Sequence, residues 1–326
     1  MALDKRYFEI AQKRLSNRRM ANKQIEDNRR LEIHQRIPKY CEMECRLADT
    51  MTKIVATVAS KAPDSDEQVK AAIRSNLALQ HEMEGLLTES GYPGDYLAPI
   101  FTCQKCKDTG TYNGEWCDCF NKILNTVAAE DLNSHSPLKL SSFDSFKLDL
   151  YPNKDVDPEL GATPYDVMKV NLGECRKFAD SFSGKGYGLF MMGNTGLGKT
   201  HLSLAVANNL IQKGYCVIYG SVPELLRRLD KEQFKNASGD TMALVTECDL
   251  LILDDLGAEN NTDRYTSLLY EMINARQSRS MPMIINTNLD MTGIKVRYQD
   301  RLWSRLFSMK VLLFCGEDNR LKINYN

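Results

Sequence analysis

An α/β protein built on a five-stranded parallel sheet, preceded by a helical region with a small cysteine module, is what this chain's pattern predicts. Three observations carry that expectation. Apolar runs of four to six residues alternate with helix-length segments after about residue 185, the signature of strands covered on both faces. The first run leads into Gly193-Asn194-Thr195-Gly196-Leu197-Gly198-Lys199-Thr200, a G-x-x-x-x-G-K-T turn between strand and helix. A third run ends in the adjacent acids Asp254 and Asp255.

Taken in order, residues 1 to about 60 are polar and rich in helix formers, with Phe8, Ala11, Leu15, Ile25, Ile33 and Ile37 on an imperfect helical period. Arg14, Arg18, Arg19, Lys23, Arg29 and Arg30 make this arm locally basic, which suits a partner protein, DNA or plain solvent equally. Lys61-Ala62-Pro63-Asp64-Ser65 breaks the pattern. A second helix to about Ser90 follows, with Val69, Ile73, Leu77, Gln80, Met83 and Leu87 as its expected buried stripe, and Gly91-Tyr92-Pro93-Gly94 ends it.

Next, Cys103 and Cys106 (C-x-x-C) face Cys117 and Cys119 (C-x-C), with Gly110 and Gly114 placed where a hairpin brings the pairs together. Four soft thiolates on two tight turns suit a tetrahedral structural Zn²⁺; unligated thiols or a redox pair are the alternatives. Cys216, Cys248 and Cys315 read as small core residues, and nothing near Cys41 and Cys45 completes a metal site. Residues from about Asn121 to Glu159 are loop-like after a short helix. We place a domain boundary there, giving a helical, zinc-binding region over 1–135 and a nucleotide-binding domain over 136–326.

In the second domain the expected strands are Leu189–Met192, Tyr215–Tyr219, Asp249–Gly257, Met283–Asn288 and Val311–Phe314, with helices before and between them, among them Pro223–Phe234. Ligands of such sheets sit at the carboxyl ends of the strands, where Lys199, Asp254, Asp255 and Asn288 fall. The glycines let backbone N–H groups wrap a phosphate at a helix N-terminus. Residues Gly193 to Thr200, with His201 after them, are therefore assigned to a nucleoside triphosphate. Lys199 reaches the β- and γ-phosphates, and the Thr200 hydroxyl and Asp254 hold Mg²⁺. Asp255 orients the attacking water. Asn288 either bonds the γ-phosphate or that water, or caps its strand. Arg301 and Arg305, one helical turn apart, and Arg320 are candidate phosphate-binding guanidiniums, and each is equally a surface arginine.

Composition bounds the class. At 326 residues, 43% hydrophobic and 26% charged, the chain is an ordinary globular one, and its net charge of −1 excludes a uniformly basic nucleic-acid binder. With no apolar h-region at the start and no apolar run approaching the roughly 18 residues that span a bilayer, a cytoplasmic protein without membrane contact is expected.

The stretches YGLFMMGNTGLGKTHL, LLILDDLG, PMIINTNL, DRLWSRL and GEDNR resemble the AAA+ ATPases of bacterial replicative-helicase loaders (DnaC/DnaI type), with the IstB-like transposition helpers as near relatives. The resemblance covers about 140–326. The cysteine segment is similar to the zinc-bearing N-terminal module of the DnaI-type loaders, which IstB-type proteins lack. The resemblance implies an ATP-dependent oligomer that binds single-stranded DNA and delivers a hexameric replicative helicase to it. It puts Gly193–Thr200 at Walker A, Asp254 and Asp255 at Walker B, Asn288 at sensor 1 and Arg320 at sensor 2. Arg305 falls at the arginine finger, acting in trans on a neighbouring subunit's ATP. Asp255 stands where AAA+ proteins at large carry glutamate, and the shorter carboxylate implies slow, switch-like hydrolysis. In the Pro223–Phe234 helix, Arg227, Arg228 and Lys231 are either backbone-phosphate contacts or solvated charge. The alternative function is an IstB-like transposition ATPase.

Overall fold

The computed structural model describes residues 5–60, 65–133, 141–158, 160–234 and 241–320. The chain forms two compact units, Met1–Ala11 with Phe120–Asn326, and Gln12–Cys119. The domain boundary expected between 135 and 136 and residues 61–64 of the helix break expected at 61–65 lie outside the described residues, and Ser65 is the first residue of the helix that follows.

α1 (Lys5–Arg36), from Gln12 onward part of the Gln12–Cys119 unit, gives way at Ile37 to α2 (Pro38–Ser60), and α3 (Ser65–Glu89) follows. Pro38 opens α2, where its missing N–H costs nothing and its fixed φ is already helical. Ile33, Ile37, Tyr40 and Met43 pack with Leu79, Met83 and Leu87 into this unit's core. The face that α3 buries differs from the expected one. Asn76, Leu79, Met83 and Leu87 form the buried stripe, while Ile73 and Leu77 stay 46% and 60% exposed. Two overlapping apolar stripes compete along this helix, and only contact with α1 and α2 selects between them. Ile25, expected on the apolar face of the arm, is likewise exposed. α3 ends in a Schellman turn: Tyr92 N–H donates to the Leu87 carbonyl at 2.9 Å and Gly91, at φ 85°, to that of Thr88 at 3.1 Å.

β1 (Thr111–Tyr112) and β2 (Glu115–Trp116) form an antiparallel hairpin. Its loop, Asn113-Gly114, takes positive φ at both residues, as a two-residue turn matched to strand twist requires.

The other unit holds α4 (Asp118–Leu132), a 3₁₀ turn (Leu148–Leu150), α5 (Pro164–Asp180) and the alternating strands and helices. These are β3 (Leu189–Met192), α6 (Lys199–Gln212), β4 (Val217–Ser221), α7 (Val222–Phe234), α8 (Thr241–Glu247), β5 (Leu250–Leu256), α9 (Asp263–Ser278), β6 (Met283–Thr287), α10 (Met291–Phe307) and β7 (Lys310–Leu313). The five strands pair in parallel in the order β4-β5-β6-β3-β7, so β6 separates the strand leading into the glycine-rich loop from the strand carrying the two acids. Leu189, Met191, Leu250, Ile252 and Ile284 are fully buried in the core, which is why these strands read as unbroken apolar runs. Among the described residues no helix is long and apolar enough to cross a membrane.

Candidate functional site

β3 delivers the chain into the glycine-rich loop, and α6 begins at Lys199. Gly193 (φ 145°) and Gly198 (φ 89°, the N-cap of α6) both need glycine. A Cβ on Gly193 would lie 2.3 Å from the Phe314 carbonyl oxygen, and one on Gly198 would lie 2.8 Å from Phe146 and from the Tyr151 hydroxyl. The loop is thus wedged between Phe314, just past β7, and the 141–151 segment.

A cavity of about 490 Å³ opens there, at the carboxyl ends of the strands. Thr195 to His201, Asp254, Asp255, Asn288 and Arg320 all line it. Gly193 and Asn194 line an adjoining hollow beside β7 and α10. Lys199 is 6% exposed, and its Nζ donates to the Gly193 and Asn194 carbonyls at 2.6 Å each. Burial lowers its pKa to about 8 against the pull of Asp254 and Asp255.

The two acids part company as soon as β5 ends. Asp254 is 4% exposed, and its carboxylate accepts hydrogen bonds from the Tyr219 hydroxyl, the Asn286 amide and the Asp255 N–H. Asp255 has left-handed backbone (φ 56°) beside an irregularity in the β5–β6 register and turns its side chain to the open cavity. Burial and then Asp254's charge raise its pKa, and the Asn288 side chain donates to it at 3.5 Å. The hydroxyl of Thr200 and the carboxylate of Asp254, both hard oxygen donors on one wall, fit Mg²⁺.

Arg305 is not among the residues lining this cavity: it sits in the last turn of α10, where its guanidinium hydrogen-bonds the Tyr270 hydroxyl and lowers that group's pKa. Arg301 covers the Tyr270 ring at 4.9 Å. Of the three α7 cations, Arg228 donates to Thr241 at 3.1 Å and to Glu232 at 3.4 Å, while Arg227 and Lys231 are exposed.

Several site residues had no motif to announce them. Ser145, Phe146, Leu150 and Tyr151, from a stretch that reads as linker, form one cavity wall. Ser145 Oγ lies 2.9 Å from His201 Nε2, Phe146 meets the His201 ring edge-on at 5.5 Å, and the Tyr151 hydroxyl donates to the Leu197 carbonyl at 2.9 Å. The paired aromatics in Ser142–Phe146 were the available signal. Asn319 completes the wall beside Arg320.

In the other unit the hairpin brings Cys103, Cys106, Cys117 and Cys119 together, their sulfurs all within 4.8 Å of one another. Cys103 and Cys117 Sγ are 3.8 Å apart, and Cys106 and Cys119 Sγ 3.4 Å. Tetrahedral zinc at about 2.3 Å from each thiolate places sulfurs about 3.8 Å apart, so the four side chains fit the ion. Asp108, buried at left-handed φ, braces the knuckle by accepting the Thr102 and Cys103 N–H groups at 2.7 and 2.9 Å and pairing with Arg18 at 2.8 Å. Arg18 also approaches Cys119 Sγ at 3.7 Å, a cation beside a thiolate cluster.

Residues 178–308 match the family described as IstB-like ATP binding protein. An insertion-sequence ATP-binding protein of Sinorhizobium fredii is 34% identical over 118 residues, 36% of this chain and 38% of that protein. The replicative helicase loader DnaI of Bacillus subtilis is 31% identical over 114 residues, 35% of this chain and 37% of the relative. The phage-like element PBSX protein XkdC of the same organism is 27% identical over 233 residues, 67% of this chain and 82% of that protein. The chain thus spans under two fifths of the length of the first two relatives. Among solved structures, the DnaC helicase loader aligns with a TM-score of 0.45 at 24% identity, covering 53% of this chain and 98% of that one.

Proposed function

We propose that this protein, whose residues 178–308 match the IstB-like ATP-binding family and in part resemble the helicase loaders, is a P-loop ATPase of the AAA+ class and a nucleotide-switched loader of a replicative DNA helicase. In this reading Mg·ATP occupies the cavity at the strand ends. The loop from Gly193 to Thr200 cradles the phosphates, with His201 packed behind it, and Lys199 and Arg320 counter their charge. Thr200 and Asp254 would hold the Mg²⁺, which would supply charge neutralisation for the phosphates. Asp255 and Asn288 orient water for a slow hydrolysis. Arg305 serves a neighbouring subunit's nucleotide. Zinc, held by Cys103, Cys106, Cys117 and Cys119, folds the module that helps residues 1–135 grip the hexameric helicase. The ATPase domain self-associates around single-stranded DNA, in the cytoplasm.

The observation that carries this reading is the cysteine knuckle in a chain that also has Lys199, Asp254, Asp255, Asn288 and Arg320 around one cavity. The test is co-purification with the host's replicative helicase, with and without ATP, for the wild type and Lys199→Ala. ATP-dependent retention, lost in Lys199→Ala, is expected; no retention in either state sinks the loader assignment.

A second reading, a transposition helper, is favoured by the family match itself and by the insertion-sequence relative. Retention of a transposase with no retention of the helicase would select it.

A further inference from the structure

Asp254 is gripped from both sides of its own strand. From β4, the Tyr219 hydroxyl donates to Oδ2 at 2.7 Å. From β6, Asn286 Nδ2 donates to Oδ1 at 3.0 Å, and the Asp255 N–H adds a third bond at 3.1 Å. The Asn286 amide has one possible orientation, since an ionised carboxylate only accepts. Its Oδ1 therefore faces the Ser203 hydroxyl at 2.9 Å, and Ser203, one turn into α6, also lies 2.9 Å from the Lys199 carbonyl. A buried chain thus joins the start of α6, β6, β5 and β4.

Lys199 is a buried cation on the same cavity wall. Opposite charges attract strongly where water is excluded, so an unrestrained Asp254 side chain would swing toward Nζ. With both carboxylate oxygens held, Lys199 donates instead to its own loop's carbonyls.

We infer that Tyr219 and Asn286 are positioning residues that hold the Asp254 carboxylate in place for the metal and keep it off Lys199. The inference rests on the Mg·ATP reading of this cavity. Tyr219 lies outside the stretches that mark the site, Asn286 lies inside one of them without a role assigned to it there, and both act through Asp254.

The test uses the full chain with ATP and Mn²⁺ as a spectroscopic substitute for Mg²⁺. Tyr219→Phe deletes one hydroxyl and little volume. Its ATP-dependent Mn²⁺ affinity, read by electron paramagnetic resonance, is expected to fall about three- to tenfold, the worth of one hydrogen bond. In an Asp254→Asn background the same change should have no further effect, because the group it acts through is gone. Asn286→Ala should show the same loss and the same dependence on Asp254. Unchanged Mn²⁺ affinity in Tyr219→Phe, or an equal loss in the Asp254→Asn background, overturns the positioning role and leaves the nucleotide reading standing. A wild type whose Mn²⁺ binding does not depend on ATP overturns both.

Discussion

Burial sets Lys199 apart from the other cations of the cavity and gives it a measurable signature. Its pKa is lowered to about 8 by burial, with Asp254 and Asp255 acting in the opposite direction. The unfolded chain, at the ordinary lysine value of 10.5, binds the proton more tightly, so between about pH 8 and 10.5 the unfolded state holds a proton that the native state has shed. Native stability from this group therefore rises with pH across that window and is lost as pH falls through about 8. The charged lysine at neutral pH is a liability of the nucleotide-free fold. A triphosphate reverses that balance, because its charge favours the ammonium form and raises the pKa on binding. ATP binding at pH 8.5 should then take up a substantial fraction of a proton, the part missing from a group whose pKa lies near 8. Calorimetry in buffers of different ionisation heat measures this directly. The uptake should vanish at pH 6.5, and in Lys199→Arg, whose guanidinium never loses its proton. Uptake that survives in Lys199→Arg would assign the proton to another group.

At the scale of elements, the cysteine hairpin is a structure with little core of its own. β1 and β2 have two residues each, and their side chains are exposed, so the fold of this segment depends on the four thiols, on Asp108 and on the turn at Asn113-Gly114. Removing the metal should therefore melt the segment, since zinc binding in such modules supplies on the order of 10 kcal/mol of folding free energy. Treatment with a strong chelator should lower the first thermal transition, and Cys117→Ser should abolish zinc in elemental analysis. ATP affinity should stay within about twofold, because the ligands lie in the Gln12–Cys119 unit and the phosphate loop in the other. An ATP affinity that collapses with the zinc would contradict this division. The hairpin and the five strands were legible in the sequence because each rests on a local signal: paired cysteines around an Asn-Gly turn, or a run apolar on both faces. Asn286, Tyr219 and Asp108 were not. A polar residue inside an apolar strand gives no hint of which strand pairs beside it, and their partners lie on other elements. The same holds for the 141–151 wall, whose irregular backbone has no period, and for α3, where Leu79 and Leu77 compete until tertiary contact selects one face.

Across the whole molecule the charges are unevenly shared between the cavity and the surface. Lys199 and Arg320 line the cavity with Asp254 and Asp255, whereas Arg305 sits on α10 against Tyr270 and is not part of that lining. Phosphoryl transfer spreads negative charge over the γ-oxygens, and a planar guanidinium brought to them is a large part of catalysis in such sites. If Arg305 serves the nucleotide of a neighbouring subunit, each active site is composite, and two different defects complement. Lys199→Ala cannot hold nucleotide but still offers its arginine; Arg305→Ala holds nucleotide but offers none. Each alone should hydrolyse ATP at background, while Arg305→Ala keeps wild-type ATP affinity. In an equal mixture, half the subunits hold ATP and half of those have an intact arginine next to them, so phosphate release should recover to about one quarter of the wild-type rate. An arginine acting within its own chain allows no such recovery, and the mixture would then stay at the mean of its two components.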